Sequence, residues 1–158
     1  MILVDGNLLV YAKVTDFAQH EAARAWFEDV LAAPGRVGLP WPALLAYVRM
    51  VTNMRLFSRP LGAQQAWNDV QEWLETPGVW VPTPTERHAD VIAGLIHDAG
   101  ATANLVADAH MAALAMEHGL ELCSTDSDFA RFPRLRWSNP IRGAVRPRRT
   151  TIRSGHSG

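Results

Sequence analysis

The chain has a single cysteine, Cys123, among 158 residues. One thiol cannot close an intrachain disulfide, which fits a reducing compartment. No run of about 18 apolar residues occurs, so the sequence predicts no membrane span. Met1–Val4 is apolar, but Asp5 and Asn7 interrupt it before a signal-peptide core develops. The six histidines show no zinc spacing, and neither a serine or cysteine nucleophile motif nor a P-loop is present. The expectation is a cytoplasmic protein that uses no thiol, zinc or P-loop chemistry. Acidic residues are missing from one stretch as well: none lies between Arg36 and Arg59.

What is present builds a core. Hydrophobic residues make up 48% of the chain, enough for one ordinary domain without disulfide or metal support. The net charge of −1 is uneven. From Arg142 onward there are five arginines (Arg142, Arg146, Arg148, Arg149, Arg153) and no acid, so subtracting +5 from −1 leaves 1–141 near −6. The sequence thus divides into a domain over 1–141 and a basic tail over 142–158. The tail's Arg, Pro, Gly and Ser content predicts a flexible segment. Its charge favours an anionic partner, although a plain solubilising tail is the more common use of such a run.

Turn residues set the element boundaries. Met1–Val4 reads as a buried strand ending at Asp5, and Leu8–Ala12 as a brief helical turn. Gln19 to Ala32 has helical composition and stops at Pro34-Gly35. Val37–Leu39 is a second strand, and Pro40-Trp41-Pro42 opens a helix to about Asn53. A helix over Ala63–Leu74 ends before Pro77-Gly78, followed by a strand at Val79–Val81. Thr85 caps a helix to about Asp98, and Asn104–His118 is an alanine-rich helix with Gly119 as its C-terminal cap. Leu120–Ser124 is a strand, and Leu135–Trp137 a last edge strand. Strands separated by helices predict an α/β fold with a mainly parallel central sheet flanked by helices.

Four acids fall where such a fold gathers ligands, beyond the carboxyl ends of its strands. Asp5 follows the first strand, Asp126 and Asp128 follow the strand Leu120–Ser124, and Asp108 lies in the first turns of a helix. Taken singly, each has a structural reading. Asp5 can organise a turn, Asp108 can complement a helix dipole, and Asp126 and Asp128 can cap the turn before Phe129. Taken together they form a constellation that needs a counter-charge. Two carboxylates ~4 Å apart repel by ~4 kcal/mol at an effective dielectric of ~20. An oxygen-preferring divalent cation is the simplest remedy. Arg49, Arg55 and Arg59 are candidate RNA contacts, weighed against ion-pair and loop roles. Trp26, Trp41, Trp67, Trp73, Trp80 and Trp137 read as core more readily than as base-stacking platforms.

Three runs carry a resemblance. Ile2-Leu3-Val4-Asp5-Gly6-Asn7-Leu8-Leu9-Val10-Tyr11-Ala12 resembles the opening of PIN domains. Leu105-Val106-Ala107-Asp108-Ala109-His110-Met111-Ala112-Ala113-Leu114-Ala115 resembles their second aspartate motif, and Ser124-Thr125-Asp126-Ser127-Asp128-Phe129 their closing one. In this order they cover the chain to Pro140, and the set looks most like the VapC toxins of bacterial toxin–antitoxin pairs.

The resemblance implies a PIN-like three-layer fold and a Mg²⁺- or Mn²⁺-dependent endoribonuclease. Asp5, Asp108 and Asp126 would be its metal ligands, with Asp128 completing the catalytic set and Asn7 and Thr125 orienting ligands and water. It also implies a cognate VapB-like antitoxin, docked in a groove near Trp67 and Trp73, an RNA substrate and a homodimer. One position departs from the family pattern: the helix glutamate expected three residues before Arg49 is Ala46. That departure puts two-metal chemistry in doubt. It is also the best support for the competing reading, a non-catalytic PIN-like module that binds RNA or protein. A phosphohydrolase acting on small phosphate esters is a third reading.

Overall fold

The computed structural model describes residues 1–144; most of the basic tail, including Arg146, Arg148, Arg149 and Arg153, lies outside the described residues. Within them the predicted elements form as strands β1 (Ile2–Val4), β2 (Val37–Gly38), β3 (Val79–Trp80), β4 (Glu121–Cys123) and β5 (Trp137–Ser138). The helices are α1 (Gly6–Lys13), α2 (His20–Ala32), α3 (Trp41–Val51), α4 (Ala63–Glu75), α5 (His88–Ala99) and α6 (Asn104–Glu117). A 3₁₀ helix spans Ser127–Arg131.

The strands make one parallel sheet in the order β3-β2-β1-β4-β5. From β1 the chain steps outward through β2 to β3, then returns past β1 to lay down β4 and β5. Right-handed crossovers place helices on one face when the chain steps one way and on the other face when it reverses. Helices α1 to α4 pack in one layer, and α5 packs with α6. The reversal makes the β1/β4 boundary the switch point of the sheet, and the register there pairs Leu3 with Leu122 and Val4 with Cys123. Those four are buried, with Leu3, Val4 and Leu122 wholly enclosed. Buried on both faces, the strands read as continuous apolar runs.

Two packing details bear on the site. Gly6 opens α1 where α3 crosses it: a Cβ there would meet the Ala43 carbonyl oxygen at 2.9 Å and the Ala46 Cβ at 3.1 Å. Only glycine permits that approach. Tyr47, fully buried on α3, donates its hydroxyl to Asp69 Oδ2 at 2.5 Å, and Lys13 Nζ lies 3.0 Å from Asp69 Oδ1. One carboxylate thus ties α1, α3 and α4 together.

Helix ends follow local chemistry with one difference. Gly119 does close α6, at a left-handed φ of 65°, and the Leu120 N–H returns to the Ala115 carbonyl at 2.8 Å. Thr85, expected as the cap of α5, stands outside a helix that begins at His88. Its hydroxyl donates to Glu117 on α6 while accepting the Arg87 N–H at 3.2 Å, and its carbonyl accepts the His88 N–H at 3.0 Å, so Thr85 organises the turn that leads into α5.

Candidate metal centre

Asp5 leaves β1 and caps α1, its Oδ1 accepting the Gly6 N–H at 2.8 Å. The parallel pairing of β1 with β4 brings Ser124 to it from 119 residues away: Ser124 Oγ donates to Asp5 Oδ2 at 2.7 Å. Ser124 has no exposed surface. It accepts the Asp126 N–H at 3.0 Å and faces the Asn7 Nδ2 at 3.4 Å, while its carbonyl accepts the Trp137 indole N–H at 3.1 Å. Asp126 in turn caps the 3₁₀ helix, its Oδ1 accepting the Asp128 N–H at 2.9 Å. Capping aims each of these carboxylates and leaves it lone pairs to spare.

Asp108 reaches the same crevice from the second turn of α6, too far along the helix to be a dipole partner. Asp108, Asp126 and Asp128 each place an oxygen within 4.8 Å of the others. Asp5 stands outside that trio, held by Ser124 and Gly6, yet close enough for its charge to act on Asp108. Burial, then the charges of Asp126, Asp5 and Asp128, push the Asp108 carboxyl up to about 6. Burial also raises Asp5, against the lowering effect of its bonds from Ser124 and Gly6, with Asp126 adding a smaller upward push. Raised carboxyls in one cluster are those that a cation would relieve.

The donors suit a hard divalent ion. All are oxygens, as Mg²⁺ and Mn²⁺ prefer. The Asn7 Oδ1 beside them is buried with no hydrogen-bond partner among the described residues, a further oxygen acceptor of the kind such an ion's surroundings require.

Not every expected residue joins this set. Thr125 makes no side-chain hydrogen bond among the described residues; its neighbour Ser124 occupies the organising position. A small polar residue at the end of an apolar strand was the available signal. Arg49 is exposed on α3, one turn beyond Ala46. Arg59 lines a hollow with Lys13 and Asp16 at the far end of α1 from Asp5, about 12 Å along the helix at 1.5 Å per residue. Arg55 is exposed in the same α3–α4 connection. Trp73 lines a cavity of about 380 Å³ with Phe27 and Leu31, rimmed by Lys13, Arg24 and Glu72. Trp67 is not part of it: its ring lies parallel to Trp41, 6.3 Å between centroids. His110 points away from the acids, with its Nδ1 3.0 Å from His88 Nε2, and His88 Nδ1 lies 2.6 Å from Glu117. That half-buried chain joins α5 to α6, and no local sequence pattern announces it.

The sequence profile of the PIN domain matches residues 2–135. Ribonuclease VapC37 of Mycobacterium tuberculosis is 44% identical over 140 residues, covering 89% of this chain and 97% of that one. Among solved structures, VapBC2 from Rickettsia felis bound to a promoter DNA fragment covers 88% of this chain and 98% of its own, at 16% identity and a TM-score of 0.64. A toxin–antitoxin complex from Klebsiella pneumoniae covers 89% and 98%, at 19% identity and a TM-score of 0.58. At such identities the two structures speak for the fold, and they agree with the parallel sheet and its flanking helices. The match in sequence goes further: the chain belongs to the PIN-domain family and, within it, to the VapC ribonucleases.

Proposed function

We propose that the protein is an endoribonuclease toxin of a toxin–antitoxin pair, cutting RNA phosphodiesters at the Asp5, Asp108, Asp126 and Asp128 cluster with the help of Mg²⁺ or Mn²⁺. The meeting of Asp108, Asp126 and Asp128 within 4.8 Å, beside the Ser124-held Asp5, carries this reading. When bound, a divalent cation supplies an activated water and stabilises charge on the phosphodiester and its leaving oxygen. Asp108, Asp126 and Asp128 would hold it. Asp5, fixed by two hydrogen bonds, orients the cluster and whatever water it carries, and Asn7 adds a buried carbonyl acceptor. Burial and the neighbouring charges raise the Asp108 carboxyl to about 6, so cation binding at acidic pH would displace its proton.

The partner expected of such a toxin is an antitoxin segment. The cavity between α1, α2 and α4 suits it, with Phe27, Leu31 and Trp73 as apolar anchors and charges on the rim. A homodimer belongs to the same reading, and light scattering on the purified chain tests it. The cytoplasm, where RNA and reduced thiols are found, fits the buried unpaired Cys123. No helix of the described residues is long and apolar enough to cross a membrane.

Purified antitoxin-free protein incubated with cellular RNA tests the activity, in Mg²⁺, in Mn²⁺ and in EDTA, beside an Asp5→Asn, Asp108→Asn variant. Discrete fragments that need metal and vanish in the variant are expected. RNA binding that ignores chelator, with no cleavage in either metal, would replace the enzyme with a binding module.

A further inference from the structure

The face of α3 beside Asp5 has a feature that the acidic cluster does not use. Pro42, Leu45, Ala46 and Arg49 line a shallow depression of about 220 Å³. Pro42, Ala46 and Arg49 recur at i, i+4 and i+7, so they share one side of the helix. Ala46 forms the wall nearest the acids. Its Cβ lies 3.1 Å from where a Cβ on Gly6 would stand, and the Gly6 N–H is the group that holds Asp5 Oδ1. The depression is therefore separated from the turn that carries Asp5 by the Ala46 wall alone.

Its chemistry is two-sided. The floor is apolar, and Leu45 is 54% exposed with nothing covering it. The other end is Arg49, which is exposed and has no carboxylate within 4.0 Å among the described residues. A cation without an acid partner, set next to an apolar floor, matches a phosphate with its base attached. The depression is open to solvent and spans two turns of α3, room for a group larger than a single ion. A second copy of the chain is the competing occupant, because the part-exposed Trp41 and Trp67 rings extend the apolar face one turn from Leu45, whereas Arg49 at the other end, unpaired among the described residues, favours an anion.

The geometry points to a nucleotide subsite on α3: one unstacked RNA base rests on Leu45 and Ala46, Arg49 holds its phosphate, and the pocket selects the base flanking the cut. This inference rests on the ribonuclease reading and adds the element that sets its sequence preference. The alanine at position 46 is what leaves the floor open, because any long side chain there would fill it.

The test uses the full chain and its Ala46→Leu, Leu45→Ser and Arg49→Ala variants, with thermal melts to establish folding. Leu45 is exposed, so Leu45→Ser keeps the subsite testable should Ala46→Leu disturb Gly6. Each protein is given a randomised single-stranded RNA pool with Mg²⁺ or Mn²⁺, and the cut ends are sequenced. Binding to the same pool is measured in EDTA across a salt series. Ala46→Leu and Leu45→Ser should shift the base frequency at one position beside the cut by about threefold or more, the scale of a lost apolar contact. Arg49→Ala should weaken binding about tenfold and lower the salt slope by about 0.7, as expected for one lost phosphate contact on a single strand. Unchanged base frequencies in both floor variants would overturn the subsite. A change of oligomeric mass in Leu45→Ser would overturn it too, assigning the face to a second copy. A parent protein that cuts nothing would remove the ribonuclease reading alone. The binding arm would then decide the subsite, and equal affinities and salt slopes across parent and variants would reject it.

Discussion

Ser124 donates its hydroxyl to Asp5 Oδ2 at 2.7 Å, joining the ends of two strands that lie 119 residues apart. The same oxygen accepts the Asp126 N–H at 3.0 Å. One buried hydroxyl therefore sets the spacing between the carboxylates that follow β1 and β4.

Removing it should disturb the site more than the fold. In Ser124→Ala, Asp5 loses a bond to its charged form, and its carboxyl rises further. A hydrogen bond to a charged group contributes about 1.5–3 kcal/mol, so cleavage should fall roughly ten- to hundredfold. Divalent-ion affinity measured by calorimetry should fall with it. Ser124→Ala with full activity and unchanged metal affinity would show that Asp5 needs no such support.

Asp108 makes stability depend on pH in an uncommon direction. Its carboxyl is raised to about 6 from an ordinary 3.8, so the folded state binds the proton more tightly than the unfolded one. The contribution is present below about pH 4 and is lost as pH rises through about 6. Metal-free protein should therefore lose stability from this group between pH 4 and 6. Asp108→Asn should be more stable than the parent at pH 7 by on the order of 1 kcal/mol, after allowance for solvent screening. Urea titrations in EDTA at pH 5 and pH 7 read both effects, and saturating Mg²⁺ should erase the difference by stabilising the parent alone.

Tyr47→Phe removes the donor to Asp69 while leaving Lys13 in place. The half-buried carboxylate then has one partner fewer, and the loss should be about 1–2 kcal/mol. Because Asp69 joins α1 to α3 and α4, chemical denaturation should show the loss as a lower midpoint with an unchanged slope. A midpoint equal to the parent's would mean that water replaces the hydroxyl at no cost.

Ala103 precedes α6 at φ 50° and ψ −128°, a conformation that L side chains rarely adopt. Ala103→Gly should relieve that strain and stabilise the protein by about 1 kcal/mol. The melting temperature should rise by a few degrees. A fall would show that the added freedom of the unfolded glycine outweighs the relief.

Much of the fold is legible in short sequence windows because its boundaries are local events. Pro34-Gly35, Pro77-Gly78 and Gly119 end elements through backbone geometry that depends on a few neighbours. Val4-Asp5 and Ser124-Thr125-Asp126 mark strand ends by a change from apolar to polar. The one misplaced cap, Thr85, instead holds a turn just ahead of α5 by accepting the Arg87 N–H, and its bond to Glu117 on another helix is a contact that no local window contains.

The sequence by itself determined the elements, the parallel α/β class and the positions of Asp5, Asp108, Asp126 and Asp128. Strand propensity, turn chemistry and the placing of charge at strand ends are properties of neighbouring residues. Only the tertiary structure decided which of those groups meet. The pairing of Val4 with Cys123 delivers Ser124, not Thr125, to Asp5, since adjacent strand residues point to opposite faces. The crossing of α3 over Gly6 sets Ala46 against the turn that carries Asp5, and the packing of α5 on α6 joins His88 to His110 and Glu117. Register and helix packing are settled by burial summed over the whole core, and no short window contains that sum.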